Sequence, residues 1–246
     1  MKDILQDVVA HTHALGFLAI VKISNDEGTQ IDSMAEDRSV ILSASTHNKV
    51  NEFVGTFGMP NLDKLALHLK NPEYKTDAKL EVVKAERNGE TIPTHIHFEN
   101  AAGDFQNDYR FMNQQIIDEK LKSVKFKGAS WDVTFNPHVA SITRMKLQSA
   151  AHSEEPTFNV KTVKTGDATD LVFSFGDQST HAGEFVFQTN IEGSLSHTWA
   201  WPVAQTQSIL SLGGDITMSI SDQGAMQITV NSGLATYNYI LPAQSK

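Results

Sequence analysis

Apolar residues recur at helical spacing in some segments of the chain and alternate with polar residues in most others. Helical spacing is present in Asp3–Leu15, Asn61–Lys70, Pro137–His152 and the residues that follow Pro202. Strand patterns occur at Phe17–Ile23, Arg38–Ser45, Leu80–Ala85, Thr91–Phe98, Trp131–Phe135, Thr157–Lys164, Thr169–Phe175, Glu184–Gln188, Ile216–Ile220, Met226–Val230 and Ala235–Leu241. Helices and strands in one chain predict an α+β protein.

A strand-proline-helix unit occurs twice. The first copy is Glu52–Leu69 with Pro60, and the second is Ser196–Leu212 with Pro202. In each copy an aromatic extended run leads through the proline into a short amphipathic helix. Proline suits the start of a helix because its fixed φ fits there and its missing N–H needs no partner. The two copies indicate an internal duplication.

A hairpin follows each unit and supports the duplication. The first hairpin turns at Asn88-Gly89, a strong turn signal because both residues tolerate positive φ, and the second turns at Gln223-Gly224. Helices, prolines and hairpin glycines are offset by roughly 135 to 142 residues, as in an internal repeat. We therefore predict two similar domains, 1–112 and 129–246, joined by a polar, lysine-rich connector at 113–128.

Composition limits the classes of protein to consider. The 246 residues carry a formal charge of −9 and no cysteine, which excludes disulfides and Cys-containing zinc sites. Nucleic-acid contact stays possible, because a local basic patch matters more than the total charge. The N-terminus lacks the pattern of a signal peptide and no apolar run is long enough to span a bilayer, so we expect a soluble cytoplasmic protein without membrane contact.

Candidate chemistry is sparse. His95 and His97 alternate onto one face of a strand, as two metal ligands could, but no third ligand is evident, and solvated strand histidines are the better interpretation. The glycines of GTFGMP form no nucleotide-binding motif, and no nucleophile elbow is present. We expect no catalytic site, no metal and no cofactor; a hydrolase is a distant alternative.

Four segments carry a family resemblance that extends over essentially the whole chain. They are Thr29–Leu42, Gly55–Leu65, Trp201–Leu212 and Ala235–Lys246. In order, spacing and duplication the chain resembles the DNA sliding clamps of tailed bacteriophages, which are related to proliferating cell nuclear antigen (PCNA). The tail Tyr239-Ile240-Leu241-Pro242 is similar to the strand that ends eukaryotic clamps.

The resemblance implies a fold and a function. Each domain would pack two helices on antiparallel sheets, and three chains would close into a homotrimeric ring around duplex DNA. Such clamps are not enzymes: they tether a DNA polymerase for processive synthesis and are opened by a separate ATP-driven clamp loader. The expected location is the cytoplasm of an infected bacterial host. The alternative function is that of a β-rich tail or capsid protein that uses its sheet edges for assembly.

Under this resemblance the helices would face DNA with few cations, because a mobile tether needs weak contacts to phosphate. The predicted DNA-facing residues are Lys2, Lys64, His68, Lys70, Arg144 and Lys146. The helical pattern groups Ser141, Arg144, Gln148 and His152 on one polar face and puts Lys146 nearer the apolar side. Ordinary solvated helix surface is the alternative interpretation of these cations.

Two further surfaces follow from the resemblance. The partner-binding positions of the tail would be Tyr239, Leu241 and Pro242, although alternating residues of a strand are more often core. Unpaired sheet edges would join the subunits, because such edges invite pairing. The expected edges are Gln106–Met112 and a strand within His181–Thr189, with Arg110 and Glu184 as interface residues.

Overall fold

The computed structural model describes residues 1–87, 89–122, 126, 128–177, 179 and 181–244. Asn88 of the predicted hairpin turn, residues 123–125 and 127 of the predicted connector, and the last two residues lie outside this set. Contacts divide the chain into two units: residues 1–125 with 232–237, and residues 126–231 with 238–246. No helix among the described residues has the length and apolar character needed to cross a membrane.

Among the described residues, unit 1 contains three α-helices and seven complete strands. They are α1 (Lys2–Ala10), β1 (Val21–Asn25), β2 (Thr29–Met34), β3 (Ile41–Thr46), β4 (Gly55–Met59), α2 (Leu62–Lys70), β5 (Lys79–Arg87), β6 (Glu90–Glu99), β7 (Gln106–Arg110) and α3 (Gln114–Lys120). One sheet has the order β4-β1-β2-β3 and the other β5-β6-β7, and neighbouring strands in these orders are antiparallel.

The two leading helices of unit 1 bury the apolar stripes that the spacing predicts. Leu5, Val8 and Val9 of α1 are buried, and so are Leu62, Leu65, Ala66 and Leu69 of α2. Residues three and four apart share one face of a helix, so these side chains point together into the core. Each stripe is confirmed, although α1 is shorter than predicted and ends at Ala10 before a 3₁₀ turn at His13–Leu15.

Apart from α3, the elements of unit 1 recur in the same order in unit 2, preceded by one extra strand. The elements of unit 2 are β8 (Val133–Phe135), α4 (Val139–Ala151), β9 (Thr157–Thr165), β10 (Ala168–Phe175), β11 (Gly183–Gln188), β12 (Trp199–Pro202), α5 (Val203–Leu210), β13 (Asp215–Ser221), β14 (Ala225–Asn231) and β15 (Ala235–Pro242), of which residues 235–237 belong to unit 1. One sheet has the order β11-β10-β9-β12, and the other includes β15-β14-β13-β8.

The duplication is confirmed by topology. The order β4-β1-β2-β3 in unit 1 corresponds to β12-β9-β10-β11 in unit 2, and β5-β6-β7 corresponds to β13-β14-β15. Both prolines stand just before their helices rather than in the first turn: Pro202 is the N-cap of α5, and Asn61 separates Pro60 from α2. The chain is an α+β protein in which each half packs two equivalent helices on antiparallel sheets.

One strand boundary was predicted wrongly: the first strand begins at Val21 instead of Phe17. The segment 113–128, predicted as a polar, lysine-rich connector, contains a helix that the sequence analysis did not predict. It is α3, whose N-cap Asn113 accepts a hydrogen bond from the amide of Ile116. Ile117 of α3 is fully buried, so this helix is held by packing rather than by helix propensity alone.

Asp7 ties helix α1 to the segment 232–237 within unit 1. Its carboxylate accepts hydrogen bonds of 2.8 Å from the hydroxyls of Ser232 and Tyr237. It also lies 3.2 Å from Nδ1 of His11, whose ring stacks on Tyr237 at 4.2 Å. Burial raises the pKa of Asp7, but the hydrogen bonds from His11, Tyr237 and Ser232 outweigh burial and hold the pKa below its ordinary value.

The variant Asp7→Asn should lower the free energy of unfolding by about 2 kcal/mol at pH 7, because hydrogen bonds to a charged acceptor are lost. A carboxylate whose pKa is lower in the folded than in the unfolded state stabilises the folded protein at pH values above the unfolded pKa. This contribution disappears as the pH falls through the folded pKa. The difference between the variant and the wild type should therefore begin to shrink near the ordinary aspartate pKa of about 4 and vanish only at a pH below the lowered folded pKa. Urea unfolding across this pH range measures it.

The exposed Asp3 of the same helix provides the matched control. The variant Asp3→Asn changes the charge equally and should cost at most about 0.5 kcal/mol. Equal losses for the two variants would contradict the assigned role of Asp7.

Candidate nucleic-acid interface and partner surfaces

The predicted DNA-facing residues of unit 1 do not form one exposed set. Lys64 and Lys70 are exposed on α2. Lys2 is half-buried, and its Nζ donates a 2.6 Å hydrogen bond to the backbone oxygen of Tyr74. Lys2 therefore holds α1 against the turn after α2, and Lys64 and Lys70 are the freer cations.

His68 is half-buried among aromatic rings. Its ring centroid lies 5.1 Å from that of Phe98 and 6.5 Å from that of Tyr74. Burial, and then the charge of Lys64, lower the pKa of His68 below its ordinary value. His68 is therefore mostly neutral at pH 7 and adds little positive charge to the face of α2.

In unit 2 the predicted cations are exposed, but two residues of the face predicted to be polar are buried. Arg144 and Lys146 are both exposed, so Lys146 does not need to reach past apolar neighbours. Ser141 and His152, assigned to the polar face, are buried together with Met145. The prediction grouped these residues by polarity, whereas packing against β11 decides which face is covered.

His152 is buried because Gly183 on β11 leaves room for its ring. A Cβ at Gly183 would lie 2.6 Å from Cε1 of His152. The ring also stacks on Phe175 at 5.8 Å. A glycine 31 positions away thus decides the orientation of α4, which local periodicity could not predict.

Apolar side chains accompany the exposed cations on these helices. Leu67 on α2 is 69% exposed, and Val139 and Leu147 on α4 are 81% and 67% exposed. Helix α5, with the sequence VAQTQSIL, carries no charged residue. The helix faces are therefore weakly basic, with Lys64, Lys70, Arg144 and Lys146 as their exposed cations.

The C-terminal positions predicted to bind a partner differ in exposure. Tyr239 and Leu241 are 0% exposed, and the Leu241 carbonyl accepts a 3.2 Å hydrogen bond from the indole of Trp201. Their side chains belong to the core of unit 2, and only Pro242 is exposed. Beyond Pro242 the chain stays attached, because the amides of Ala243 and Gln244 donate to the carbonyls of Gly224 and Ala200.

The predicted edge strands are both at sheet edges. Among the described strands, β7 pairs only with β6, and β11 pairs only with β10. Arg110, near the end of β7, has a side chain that is 69% exposed. Glu184, near the start of β11, is 62% exposed and forms a 2.9 Å ion pair with Lys161.

Four side chains form a polar cluster on the outer face of β6 and β7, here called the edge cluster: His95, His97, Asp108 and Arg110. His97 Nδ1 lies 2.8 Å from Asp108 Oδ1, and His95 Nε2 lies 3.5 Å from the same oxygen. Arg110 Nη1 donates to His95 Nδ1 at 3.4 Å. No group of three potential ligands among the described residues is arranged to hold a metal ion.

A close contact holds the start of the predicted connector. Gly58 of β4 exchanges two backbone hydrogen bonds with Met112, and a Cβ at Gly58 would lie 2.8 Å from Ile117 Cβ. Lys22 on the adjacent strand β1 forms a 2.6 Å ion pair with Asp118. Sequence reasoning missed this site; the available signal was the second glycine of GTFGMP, which allows the close approach.

A groove of about 1010 Å³ opens in unit 1 between β4, the start of β6 and the residues that follow β7. Phe57 and Phe111 contact each other in its floor, with ring centroids 4.3 Å apart. Arg110 lies at its rim. The groove therefore adjoins the free edge of β7.

Comparison with known proteins gives matches only in structure. No protein-family model and no curated protein matches the chain. PCNA from Thermococcus kodakaraensis matches with a TM-score of 0.66 and 11% identity, over 99% of this chain and 97% of that one. A. fulgidus PCNA, bound to the C-terminal region of FEN-1, matches with a TM-score of 0.65 and 12% identity, over 100% and 95%.

A eukaryotic protein gives the same result. Proliferating Cellular Nuclear Antigen from Entamoeba histolytica matches with a TM-score of 0.62 and 12% identity, over 99% of this chain and 94% of that one. This chain has the PCNA-type clamp fold. The clamp fold confirms the predicted fold class, and the match over both units agrees with the duplicated topology.

Proposed function

We propose that this protein is a non-enzymatic DNA sliding clamp that encircles duplex DNA and tethers a DNA polymerase. The observation that carries the proposal is the full-length match of a duplicated α+β chain to PCNA structures. Function depends on sites more than on fold, so the proposal also uses the sheet edges and the helix faces. A bacteriophage source, and hence the cytoplasm of an infected host, stays part of the proposal.

We infer that three copies close into a ring by adding β11 of one chain to β7 of the next. Both strands have a free edge, and the strands they already pair with are antiparallel to them. A head-to-tail contact of this kind closes when the rotation between copies divides a full turn. Two units per chain and three chains would give six similar units around the hole.

Charge selects one register for this added strand. With the strands antiparallel and Arg110 opposite Glu184, Tyr109 faces Phe185 and Asp108 faces Val186. A slip by two residues in one direction places Asp108 opposite Glu184, and like charges in directly opposite positions are destabilising. A slip in the other direction places Arg110 opposite Val186 and loses the attraction to Glu184. The register with Arg110 opposite Glu184 is therefore the one we propose.

The weakly basic helix faces fit a clamp that holds DNA by topology. Each phosphate contact adds salt-dependent affinity, so many contacts would oppose sliding. Lys64, Lys70, Arg144 and Lys146 supply a few exposed cations, and His68 adds little charge at pH 7. We propose these four cations as the residues that meet the phosphates.

The polymerase and an ATP-driven loader would bind outside the hole. The A. fulgidus PCNA structure holds a C-terminal region of FEN-1, which supports peptide segments as the kind of partner that a clamp fold accepts. In this chain Pro242 is the exposed member of the predicted tail site. Tyr239 and Leu241 would support the site from the core rather than contact the partner.

Retention on blocked DNA tests the function without a loader. Linear duplex is attached to beads at one end, the protein is allowed to thread from the free end, and a bulky protein then caps that end. A ring should stay on the capped duplex through a high-salt wash that removes electrostatic binding, because topology does not depend on counterions. Cutting the duplex with a restriction enzyme should release the protein.

The triple variant Lys64→Ala, Arg144→Ala and Lys146→Ala distinguishes retention by a closed ring from binding by electrostatic attraction. It should thread less readily at low salt but still be retained at high salt once the end is capped. Release of the wild-type protein from capped DNA at high salt would refute the clamp. An open polymer in solution would instead favour the alternative, a tail or capsid protein.

A further inference from the structure

Whether His95 can accept a hydrogen bond from Arg110 depends on whether Nδ1 of His95 carries a proton. Arg110 Nη1 donates to His95 Nδ1 at 3.4 Å, so this nitrogen carries a lone pair and the neutral ring holds its proton on Nε2. That proton points toward Asp108 Oδ1, 3.5 Å away. Arg110 Nη2 lies 3.8 Å from the same carboxylate. Neutral His95 and Asp108 together hold the guanidinium beside the free edge of β7.

We propose that protonation of His95 releases Arg110 and so weakens the contact between copies of this chain at the β7 edge. The inference rests on the proposed ring, in which Arg110 faces Glu184 of the next copy. A protonated His95 carries N–H groups on both ring nitrogens, and Arg110 is also only a donor. Two donors facing each other lose their hydrogen bond, and Arg110 must move.

A second partner for the protonated ring is already in place. Thr94 Oγ1 lies 2.9 Å from His95 Nδ1 and 3.1 Å from the Val83 carbonyl oxygen, so its single proton is donated to Nδ1 when the ring is neutral and turns to the Val83 carbonyl when Nδ1 is protonated. Its oxygen can therefore accept from a protonated Nδ1. His95 thus has two complete sets of hydrogen bonds, one with Arg110 as donor and one with Thr94 as acceptor.

The hydrogen bonds of Asp108 also favour the release of Arg110. His97 Nδ1 lies 2.8 Å from it, and this hydrogen bond is the main cause that raises the pKa of His97. Once both histidines are charged, two imidazolium rings lie at Oδ1 of Asp108, and their positive charge weakens the attraction between Arg110 and Oδ2 of the same carboxylate. The new charge on His95 is balanced by Asp108, so the main effect at the edge is a mobile Arg110.

The remaining charged groups on this face do not replace the lost contacts. They are Glu99 on β6, which lies 3.5 Å from His97, and Lys79 and Glu81 on β5, which pair with each other at 2.8 Å. Burial, together with the charges of Arg110 and His97, lowers the pKa of His95 below its ordinary value and outweighs the charge of Asp108, which raises this pKa. At pH 7.5 the ring is therefore neutral and holds Arg110.

Sedimentation equilibrium at pH 7.5 and about pH 5 measures the effect; the lower value lies well below the ordinary histidine pKa of about 6.5 because the pKa of His95 is lowered. The dissociation constant should rise about threefold to tenfold per contact at the lower pH, because assembly must then order the released side chain of Arg110 again. The variant His95→Gln, which cannot take up a proton, should show little of this rise. The variant His97→Gln should retain most of it.

Each other outcome overturns a defined part of the inference. An unchanged constant in the wild type, or an equal rise in the wild type and His95→Gln, would refute the role of His95. Absence of any trimer at pH 7.5 would refute the proposed ring, and with it the coupling. Nitrogen-15 NMR of His95 is independent of assembly, and a proton on Nδ1 at pH 7.5 would refute the exchange itself.

Discussion

A chain in which Arg110 is replaced by Glu should stay monomeric at concentrations where the wild type forms rings. In the proposed register the new carboxylate would face Glu184 of the next copy, so an attraction becomes a repulsion. We expect a loss of about 3 kcal/mol per contact, which raises the dissociation constant roughly 100-fold. Sedimentation equilibrium at pH 7.5 measures the change.

Charge reversal on the opposite strand provides the decisive control. Glu184→Arg alone should also disrupt the ring, and the pair Arg110→Glu with Glu184→Arg should restore part of the assembly. Restoration is expected to be partial, because the new Arg would lie near Lys161, the present partner of Glu184. The variant Lys75→Glu changes the net charge by the same amount at an exposed position outside β7 and should leave the ring intact.

An intact ring in Arg110→Glu would remove Arg110 from the subunit contact. Equal disruption by Lys75→Glu would show that net charge, and not the edge, controls assembly. Disruption by both single reversals without any rescue would leave the edges in place but reject the proposed register.

Replacing Gly193 by Ala should destabilise unit 2 by about 3 kcal/mol or more, the scale of a strained backbone combined with a steric clash. Gly193 has φ +89°, which favours glycine, and a Cβ there would overlap the backbone oxygen of Asp132. Because the overlapped atom is backbone, no side-chain rotation relieves the clash. Urea unfolding measures the change in the free energy of unfolding.

The variant Gly233→Ala measures the cost of a positive φ without the steric overlap. Gly233 has the same φ of +89°, but a Cβ there would meet no atom within 4 Å. Gly233→Ala should therefore cost only the conformational penalty of about 1–2 kcal/mol. Similar losses at the two positions would show that the contact with Asp132 relaxes without strain.

The fold was largely predictable because its signals are local. The apolar stripe of α2, the paired strands around Gly89 and Gly224, and the repeated strand-proline-helix unit all depend on residues close in sequence. The repeat then predicted that the two halves share one topology, and the matching strand orders confirm it.

The candidate sites were less predictable, because burial depends on distant partners. The tail pattern left Tyr239 and Leu241 open as partner contacts or core, and packing within unit 2 buries both. Helix α3 was not predicted because its buried residue, Ile117, packs against Gly58, which is far away in sequence and leaves room for the Ile117 side chain. The polarity of Ser141 and His152 indicated an exposed face, yet packing on β11 covers them.

The sequence by itself determined the order of the elements, their duplication and the weakly basic character of the helices, since periodicity, turn residues and charge are written locally. The resemblance suggested β7 and β11 as edge strands, but only the tertiary structure established that both lie at sheet edges, because an edge is defined by the order in which strands pair. The tertiary structure also brought His95 within 3.4 Å of Arg110, a contact across two strands whose register fixes which side chains meet.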